Sequence, residues 1–365
     1  MAVERELTSR IGELGRRIHT GRSRNDQSAL DIRLYARARL LTVARAAADC
    51  MRSLLAFARK HRMVPMVGRT HLQPAMPSSV ALWATAYVEE MSENLESLRQ
   101  VYDLNNRCPL GAAAGYGVPL PIDRKLTARL LGFEAPIHNV LYAVHSRGKN
   151  EGRILEALGQ TMLTLSRLAQ DMMLFSIPEF GYFRLPPELG TGSSLMPQKN
   201  NPDVLELVRA RTARLLGQVS GTNELMRALP AGYNRDVQET KEPLFDGLQT
   251  VEQSLRIMTL LIGKMTVNRK RLLDAFTPPV FATDQALLLV RQGVPFRDAY
   301  RRVKEHPESI VAGNPCENIA VKNHLGAPGG LDFPCYRRRI EGVRRWITAH
   351  ETRHQRVAQR LLPLT

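Results

Sequence analysis

The segment Ser28–Val64, SALDIRLYARARLLTVARAAADCMRSLLAFARKHRMV, contains neither proline nor glycine over its whole length. Apolar residues are interspersed in it with arginines and other polar side chains, as in a helix that buries one face. Pro65 follows directly and breaks the pattern, because proline cannot continue the hydrogen-bond ladder of a helix. The segment therefore predicts one long helix, or two nearly continuous ones, and indicates a fold built from long helices.

Four further segments have the same character. The second helix is predicted to start at Pro77 and Ser78, and its apolar residues recur at spacings of three and four. The others are predicted along an apolar face from Ile154 to Phe175, from Pro202 towards Leu229, and from Leu244 to about Met265. No segment alternates apolar and polar residues for long enough to indicate a sheet. The predicted fold is therefore all-α, a bundle of five long helices.

The rest of the chain is predicted to be helical but more interrupted. A helix is expected over Val3–Ile18, and Ile137–Gly148 is expected to be irregular. Beyond about Val267, four prolines and a glycine separate shorter helices. We therefore predict a long-helix bundle domain over residues 23–266 and a smaller helical domain over residues 267–365.

The composition is that of a soluble globular protein. The chain has 365 residues, of which 44% are hydrophobic, 24% charged and 6% aromatic. No apolar run is long enough to span a bilayer, and the first ten residues carry charges where a signal peptide has its apolar segment. The expected compartment is the cytoplasm, with no membrane partner. The four cysteines are far apart and form no CxxC motif, so neither a zinc site nor a disulfide framework is indicated.

The chain is strongly basic, with 51 Lys and Arg against 35 Asp and Glu and a formal net charge of +16. Such a charge suits a nucleic-acid partner, a membrane surface, or electrostatic steering of a small anion. The densest basic cluster is YRRRIEGVRRW at Tyr336–Trp346. No nucleic-acid recognition motif accompanies it, so a solvated helical face is the favoured interpretation and no nucleic-acid partner is expected.

The segment Gly190–Glu206, GTGSSLMPQKNNPDVLE, brings together groups that suit chemistry on an anion. Its glycines and small hydroxyl residues favour a mobile loop, and Lys199 adds a positive charge. Pro202 and Asp203 indicate the first turn of a helix, with Glu206 about one turn further on. The alternative is an ordinary flexible polar loop ahead of a helix.

Three other polar stretches interrupt the helices. They are HTGRSRNDQ at His19–Gln27, GRTHLQPAMP at Gly68–Pro77 and LPAGYNRDVQETKEP at Leu229–Pro243. Arginine and asparagine side chains in such loops can hold carboxylates through paired hydrogen bonds. Thr70 and His71 are predicted to lie on a loop, and a purely structural histidine is the alternative for His71.

The order GSSLMPQKxNP resembles the signature loop of the fumarase/aspartase superfamily, and the other three stretches resemble the corresponding motifs of argininosuccinate lyases. A further segment, Ala282–Tyr300, is similar to the C-terminal domain of that family. The resemblance implies an all-helical homotetramer in which each active site draws on three chains. It also implies reversible elimination of argininosuccinate to arginine and fumarate, without a cofactor or metal.

The resemblance also implies roles for individual residues. Ser193 and His71 take and give the protons, in an order that the sequence leaves open, and Glu206 pairs with His71. Lys199 and Asn201 stabilise the negative charge of the intermediate. The positions implied for substrate binding are Arg24, Asn25, Thr70, Asn201, Tyr233, Gln238 and Lys241.

The chain departs from the family pattern in three places. The family has a substantial helical N-terminal domain before HTGRSRND, with a substrate-binding serine near its start. Most of that domain is expected to be absent here, with residues 1–22 as its remnant. Residues 137–148 read IHNVLYAVHSRG where the family usually has a segment like TxNSLDAVSDRD, so that Asn139 and Arg147 remain while several acidic and hydroxyl positions are replaced. Asn200 stands where a second lysine is common.

Three alternatives remain open from the sequence. One is a fumarate-releasing lyase of the same superfamily with a different amine leaving group. Another is a truncated homologue that keeps the bundle as a structural protein without catalysis. The third is a nucleic-acid-binding protein that uses the net positive charge, for which salt-sensitive binding to duplex DNA would be the indication.

Overall fold

The computed structural model describes residues 2–361 of the chain. Fourteen α-helices lie in that range, which confirms the all-α class. The six long ones are α3 (Arg24–Lys60), α4 (Val80–Asn105), α7 (Lys149–Ser176), α8 (Asp203–Met226), α9 (Lys241–Lys264) and α14 (Phe333–Leu361). The eight shorter ones are α1 (Ala2–Ile11), α2 (Glu13–Arg16), α5 (Arg124–Leu130), α6 (Val140–His145), α10 (Arg269–Asp274), α11 (Ala282–Arg291), α12 (Phe296–Glu305) and α13 (Pro315–Val321).

The longest helix, α3, begins at a capping box. The Ser23 hydroxyl accepts a hydrogen bond from the Asn25 N–H at 3.2 Å, and the Asp26 carboxylate accepts one from the Ser23 N–H at 3.0 Å. Asp26 is fully buried and also accepts from the N–H groups of Gly111 and Ala113. Hydrogen bonds within the first turn therefore cap α3, and further hydrogen bonds from Asp26 join its start to the glycine- and alanine-rich loop after α4.

Contacts between helices establish their directions. The ring centroids of Tyr35 and Phe245 lie 4.6 Å apart in the first halves of α3 and α9, and the Ser53 hydroxyl donates to the Thr259 carbonyl in their second halves. Helices α3 and α9 are therefore parallel. Helices α4 and α8 run antiparallel to α7, because their residue numbers fall as those of their hydrogen-bonded partners in α7 rise. For α8 the pairs are Asn223 with Glu156 and Thr212 with Met162, and for α4 they are Asn94 with Thr164 and Trp83 with Asp171.

These directions define two ends of the bundle. At the near end α3, α7 and α9 begin, and α4 and α8 finish. At the far end α3, α7 and α9 finish, and α4 and α8 begin. The 37 residues of α3 span about 55 Å from one end to the other, at about 1.5 Å per residue.

Helix α7 lies at the centre of the core. The apolar face predicted for it from the sequence is fully buried, at Ile154, Leu158, Met162, Leu165, Leu168 and Met172. Gly247 of α9 approaches this helix so closely that a Cβ there would lie 2.7 Å from Leu155 Cδ2. The core thus depends on apolar periodicity in α7 and on a small residue opposite it.

The sequence-based expectation of no sheet was wrong at the far end. Strands β1 (Pro65–Thr70) and β2 (Gln73–Ser79) form an antiparallel hairpin where a loop was expected. The prolines of the hairpin hide the strand pattern in the sequence. A two-stranded hairpin tolerates proline, which lacks an N–H donor, because each strand is an edge strand with one side that pairs with no other strand of the described chain. The remaining strands have two residues each and form three pairs: β3 (Arg107–Cys108) with β4 (Ala135–Pro136), β5 (Phe183–Arg184) with β8 (Thr266–Val267), and β6 (Thr191–Gly192) with β7 (Asn200–Asn201).

Smaller corrections concern helix boundaries. The helix expected over Val3–Ile18 is divided at Gly12, whose φ of 67° is left-handed. The segment expected to be irregular before α7 contains α6, which the Asn139 side chain caps by accepting from the Tyr142 N–H. Helix α8 ends at Met226, four residues before Pro230.

The largest difference from the sequence-based expectation is α14. Only shorter helices were predicted beyond residue 267, yet α14 has 29 residues and packs against α3 and α4 through the buried Ile340 and Ile347. The basic cluster at Tyr336–Trp346 is helical, as predicted.

A separate small apolar cluster joins α11 and α12 around Phe281. The domain divisions at residues 22 and 266 remain predictions. Among the described residues, no helix has the length and apolar character needed to cross a membrane.

Two histidines of α14 hold it against α4. The Tyr102 hydroxyl lies 3.0 Å from His350 Nδ1 and 3.1 Å from His354 Nε2. Burial, together with the nearby positive charges of Arg37 and Arg353, lowers the pKa of His354 to about 4. Burial also lowers the pKa of His350. The docked helix therefore favours neutral imidazoles.

We expect this contact to make stability sensitive to acid. Below pH 6.5 an unfolded chain protonates His354 more readily than the folded chain does, so stability falls as the pH drops from 6.5 towards 4. After allowance for partial exposure, the expected loss is about 1–2 kcal/mol. Urea unfolding at pH 7.5 and pH 5 checks it, with His354→Gln as the comparison. The prediction fails if both proteins lose the same amount of stability between the two pH values.

Candidate active site

One group of predicted site residues lies at the near end. Arg24 and Asn25 form the first turn of α3. The Tyr233 hydroxyl accepts a hydrogen bond from Gln238 Nε2 at 2.8 Å, and Gln238 Oε1 accepts one from Lys241 Nζ at the start of α9. Three of the predicted residues are thus linked side chain to side chain, with Lys241 anchoring them to the bundle.

Arg147 contacts this group, although sequence analysis indicated no role for it beyond its retention in the divergent segment 137–148. Its guanidinium carbon lies 5.4 Å from the centroid of the Tyr233 ring, within range of a cation–π contact. Arg147 is only 3% exposed. A cleft of about 400 Å³ opens between Lys149, Arg153 and the residues on either side of Tyr233. The near end therefore presents a positively charged opening beside Tyr233.

The second group lies at the far end, on the loop before α8. Pairing of β6 with β7 folds this loop into a small hairpin, and the Thr191 hydroxyl bonds to the Asp203 carboxylate at the helix start. A Cβ on Gly190 would lie 2.7 Å from the Asn201 carbonyl oxygen, so this close approach requires glycine. The helix begins at Asp203, as predicted, and Glu206 is exposed in its first turns.

The Ser193 hydroxyl has a specific environment. Its Oγ accepts hydrogen bonds from the backbone N–H groups of Leu195 at 3.3 Å and Met196 at 3.0 Å. Two donors on one oxygen stabilise negative charge there and so favour loss of the hydroxyl proton. Lys199 and Leu195 are exposed on the same loop, Leu195 to 85%. The loop thus stands open to solvent with Ser193 at its base.

His71 occupies the two-residue turn of the β1–β2 hairpin. The backbone φ angles of His71 and Leu72 are 52° and 63°, both left-handed, whereas such turns usually contain asparagine or glycine. The turn therefore stores strain of about 1 kcal/mol or more per residue, and strain of this kind is typical of functional positions. Arg69 fixes the hairpin by donating to the Leu72 carbonyl at 2.9 Å and stacking on Phe180 at 4.6 Å. Thr70 and His71 are both on the surface of the far end.

The structure divides the predicted residues between the two ends of the bundle. The Tyr233, Gln238 and Lys241 side chains are linked, whereas the hydrogen bonds of the Ser193 loop stay within the loop and the start of α8 and do not reach Thr70 or His71. The near-end group contains Arg24, Asn25, Tyr233, Gln238 and Lys241. The far-end group contains Thr70, His71, Ser193, Lys199, Asn201 and Glu206. The length of α3 separates them, so the two groups of one chain do not meet. Within residues 2–361, no three His, Cys, Asp or Glu side chains form a cluster suited to a metal ion.

Comparison with known proteins identifies the class. Residues 1–217 match the profile of a family described as lyase. The solved structure of an EDDS lyase in complex with formate has the same fold, with a TM-score of 0.88 over 98% of this chain and 80% of that chain, at 23% identity. A fumarate lyase:delta crystallin from Brucella melitensis gives a TM-score of 0.68 at 21% identity, over 89% of this chain and 70% of that one. The profile defines a lyase, and these solved structures share its fold.

Sequence similarity to curated proteins identifies the family within the lyases. The argininosuccinate lyase of Sorangium cellulosum is 44% identical over 93% of this chain and 79% of its own length. That of Thermotoga neapolitana is 41% identical over 83% of this chain and 76% of its own length. The chain belongs to the argininosuccinate lyase family.

Proposed function

We propose that this chain catalyses the reversible elimination of fumarate from L-argininosuccinate, releasing L-arginine, and that it serves arginine biosynthesis in the cytoplasm. The observation that carries the proposal is the Ser193 hydroxyl oxygen, which accepts two backbone hydrogen bonds on an open loop. The same loop bears Lys199 and Asn201. A base beside fixed donors and a cation is what removal of a proton next to a carboxylate requires.

The chemistry assigns a step to each far-end residue. Ser193, as the alkoxide that its two N–H donors stabilise, takes the proton from the carbon beside a substrate carboxylate and later releases it to solvent. Lys199 and Asn201 stabilise the doubly charged aci-carboxylate that results. The C–N bond then breaks, and His71, held and polarised by Glu206, gives a proton to the departing guanidino nitrogen. No redox change occurs, so the step balances without a further reactant.

The near-end residues bind the substrate in this proposal. Arg24 and Asn25 project from the start of α3, where the helix dipole also favours a carboxylate. Tyr233, Gln238 and Lys241 are held as one hydrogen-bonded set, which reduces the entropy lost when substrate binds. Thr70 supplies a further hydroxyl from the far end.

We also propose that the active protein is a homotetramer with sites shared between chains. The separation of about 55 Å along α3 supports this, because a site needs both residue groups within a few ångströms of one small substrate. Symmetric association of copies places the far end of one chain beside the near end of another. Each site then takes its binding and catalytic residues from different chains.

Mixing two inactive variants tests the shared site. His71→Asn removes a far-end group and Lys241→Gln removes a near-end group, and we expect little turnover from either variant alone. In co-assembled mixtures about a quarter of the sites combine two intact ends, because each end is drawn independently from two kinds of chain. Fumarate release from argininosuccinate measures the recovery.

The control is a mixture of Ser193→Ala with Lys199→Gln, prepared in the same way and measured beside each variant alone. These two residues lie on one loop and always come from the same chain, so this mixture should show no recovery. A His71→Asn and Lys241→Gln mixture no more active than its components would contradict sharing between the near and far ends. Absence of fumarate release from argininosuccinate by the unsubstituted chain would contradict the proposed reaction itself. Release from a different substituted succinate would then identify another leaving group.

A further inference from the structure

A second cationic cleft lies at the near end and shares Arg153 with the cleft beside Tyr233. It has a volume of about 380 Å³ and is lined by Arg33, Arg107, Arg153, His138 and Asn150, among others. We call it the arginine cleft. All of its lining residues are within the described part of the chain, and none of them is an aspartate or glutamate. Cavity walls with charge of one sign concentrate counter-ions.

The three arginines of the cleft lack carboxylate partners. Among residues 2–361, none of Arg33, Arg107 and Arg153 forms an ion pair within 4.0 Å. Arg33 is 5% exposed and donates only to neutral acceptors, namely the carbonyls of Leu104 and Asn105 and the Ser146 hydroxyl. Guanidinium groups remain charged in proteins, so this part of the fold carries uncompensated positive charge.

The surrounding carboxylates offset only part of this excess. Arg147, next to the cleft residue Ser146, is buried, and none of its three nitrogens has a hydrogen-bond partner within the described chain. Glu151 is the buried carboxylate of the region, and it accepts from the Gly148 N–H at 2.7 Å. Burial raises the pKa of Glu151, and the positive charges of Arg33 and Arg147 partly oppose that shift. Glu156, one turn further along α7, accepts from Asn223.

Burial lowers the pKa of Arg33, the Glu151 carboxylate opposes this shift, and the like charge of Arg107 adds to it. A buried charge that is only partly compensated costs free energy, and an anion in the cleft reduces that cost.

We propose that the arginine cleft binds a small molecule carrying a phosphate or carboxylate group. Arg33 and Asn150 provide the buried polar wall, and the more accessible Arg107 and Arg153 form the opposite sides. Arginine pairs with both groups through two parallel hydrogen bonds. The start of α7 at Asn150 adds the positive end of a 28-residue helix. This site does not depend on the proposed reaction.

Thermal unfolding of the full chain tests the site, with inorganic phosphate and citrate as the two probes at constant ionic strength. We expect at least one probe to raise Tm by about 2–4 °C over chloride at a concentration about ten times its Kd. The double variant R107Q/R153Q should lose this rise. The matched control R297Q/R345Q removes two exposed arginines elsewhere and should keep it.

A second variant provides an independent check. The Ser146 hydroxyl lies 3.2 Å from Arg33 Nη2, so Ser146→Asp places a carboxylate within reach of that guanidinium. We expect S146D to have a higher Tm than the unsubstituted chain in chloride and a smaller response to the probes. No rise with either probe, or equal rises in R107Q/R153Q and R297Q/R345Q, would overturn the proposal.

One further arm separates this site from the substrate site. The Tm rise should persist in Lys241→Gln, because the predicted substrate-binding residue Lys241 lies outside the arginine cleft. Loss of the rise in that variant would overturn a separate anion site. Unfolding does not require turnover, so the cleft can be demonstrated even in a chain that releases no fumarate.

Discussion

Replacing Ser193 with alanine is expected to lower kcat for fumarate release by about 10²- to 10⁴-fold, the usual contribution of a general base. The substitution removes the hydroxyl that accepts from the N–H groups of Leu195 and Met196. The hairpin of the loop is kept, because backbone pairing of β6 with β7 and the Thr191–Asp203 bond maintain it. Substrate affinity and assembly should therefore change little.

Ser194 provides the matched control for this prediction. It is the neighbouring exposed hydroxyl of the same loop, so Ser194→Ala removes the same atom one position away. We expect Ser194→Ala to retain turnover within a few-fold, as for surface substitutions outside a site. Steady-state kinetics of fumarate release, with light scattering to verify assembly, measure both variants. Similar rates for Ser193→Ala and the unsubstituted chain would remove Ser193 from the mechanism.

His71→Asn is expected to lower kcat by about 10²- to 10³-fold, because it removes the imidazole that is proposed to donate the second proton. Asparagine is the suitable replacement, since it tolerates the left-handed φ of 52° that His71 adopts. The hairpin should therefore keep its shape, and the loss should appear in kcat more than in unfolding temperature. A normal kcat would return His71 to a structural role.

Leu72 is the control for the strained turn. It is exposed to 68%, has a φ of 63°, and shares the two-residue turn with His71. Leu72→Asn relieves the same kind of strain but leaves the imidazole in place, so we expect near-normal turnover and equal or greater stability. A large loss of activity in Leu72→Asn would mean that turn geometry, and not the imidazole, accounts for the His71 result.

The long helices were predictable because their signal is local. Apolar residues at spacings of three and four identify the buried face of α7, and proline marks the limits of α3 and α4. The β1–β2 hairpin gives no such signal, because its prolines and its His71–Leu72 turn lack the usual strand and turn residues. Helix α14 was missed because its few apolar contacts lie among many arginines and are revealed only by packing on α3 and α4.

The site was predictable in its residues but not in its arrangement. The resemblance to family motifs indicated the residues of the near-end and far-end groups. It did not indicate the directions of the helices, which determine at which end of the bundle each residue lies. Direction follows from contacts such as Tyr35 with Phe245, which join residues 210 positions apart in the chain. The stack of Arg147 on Tyr233 was missed for the same reason. The arginine cleft likewise joins side chains from α3, α7 and the segments between them, whose charges look unremarkable in sequence order.

The placement of the two residue groups at opposite ends of α3 has a consequence for kinetics in dilute solution. When a complete site needs several copies, the amount of working enzyme follows mass action and not the number of folded chains. Specific activity then falls on dilution below the dissociation constant of the assembly, while the helical content of each chain changes little. A lag on returning to high concentration would reflect the time that copies need to find one another.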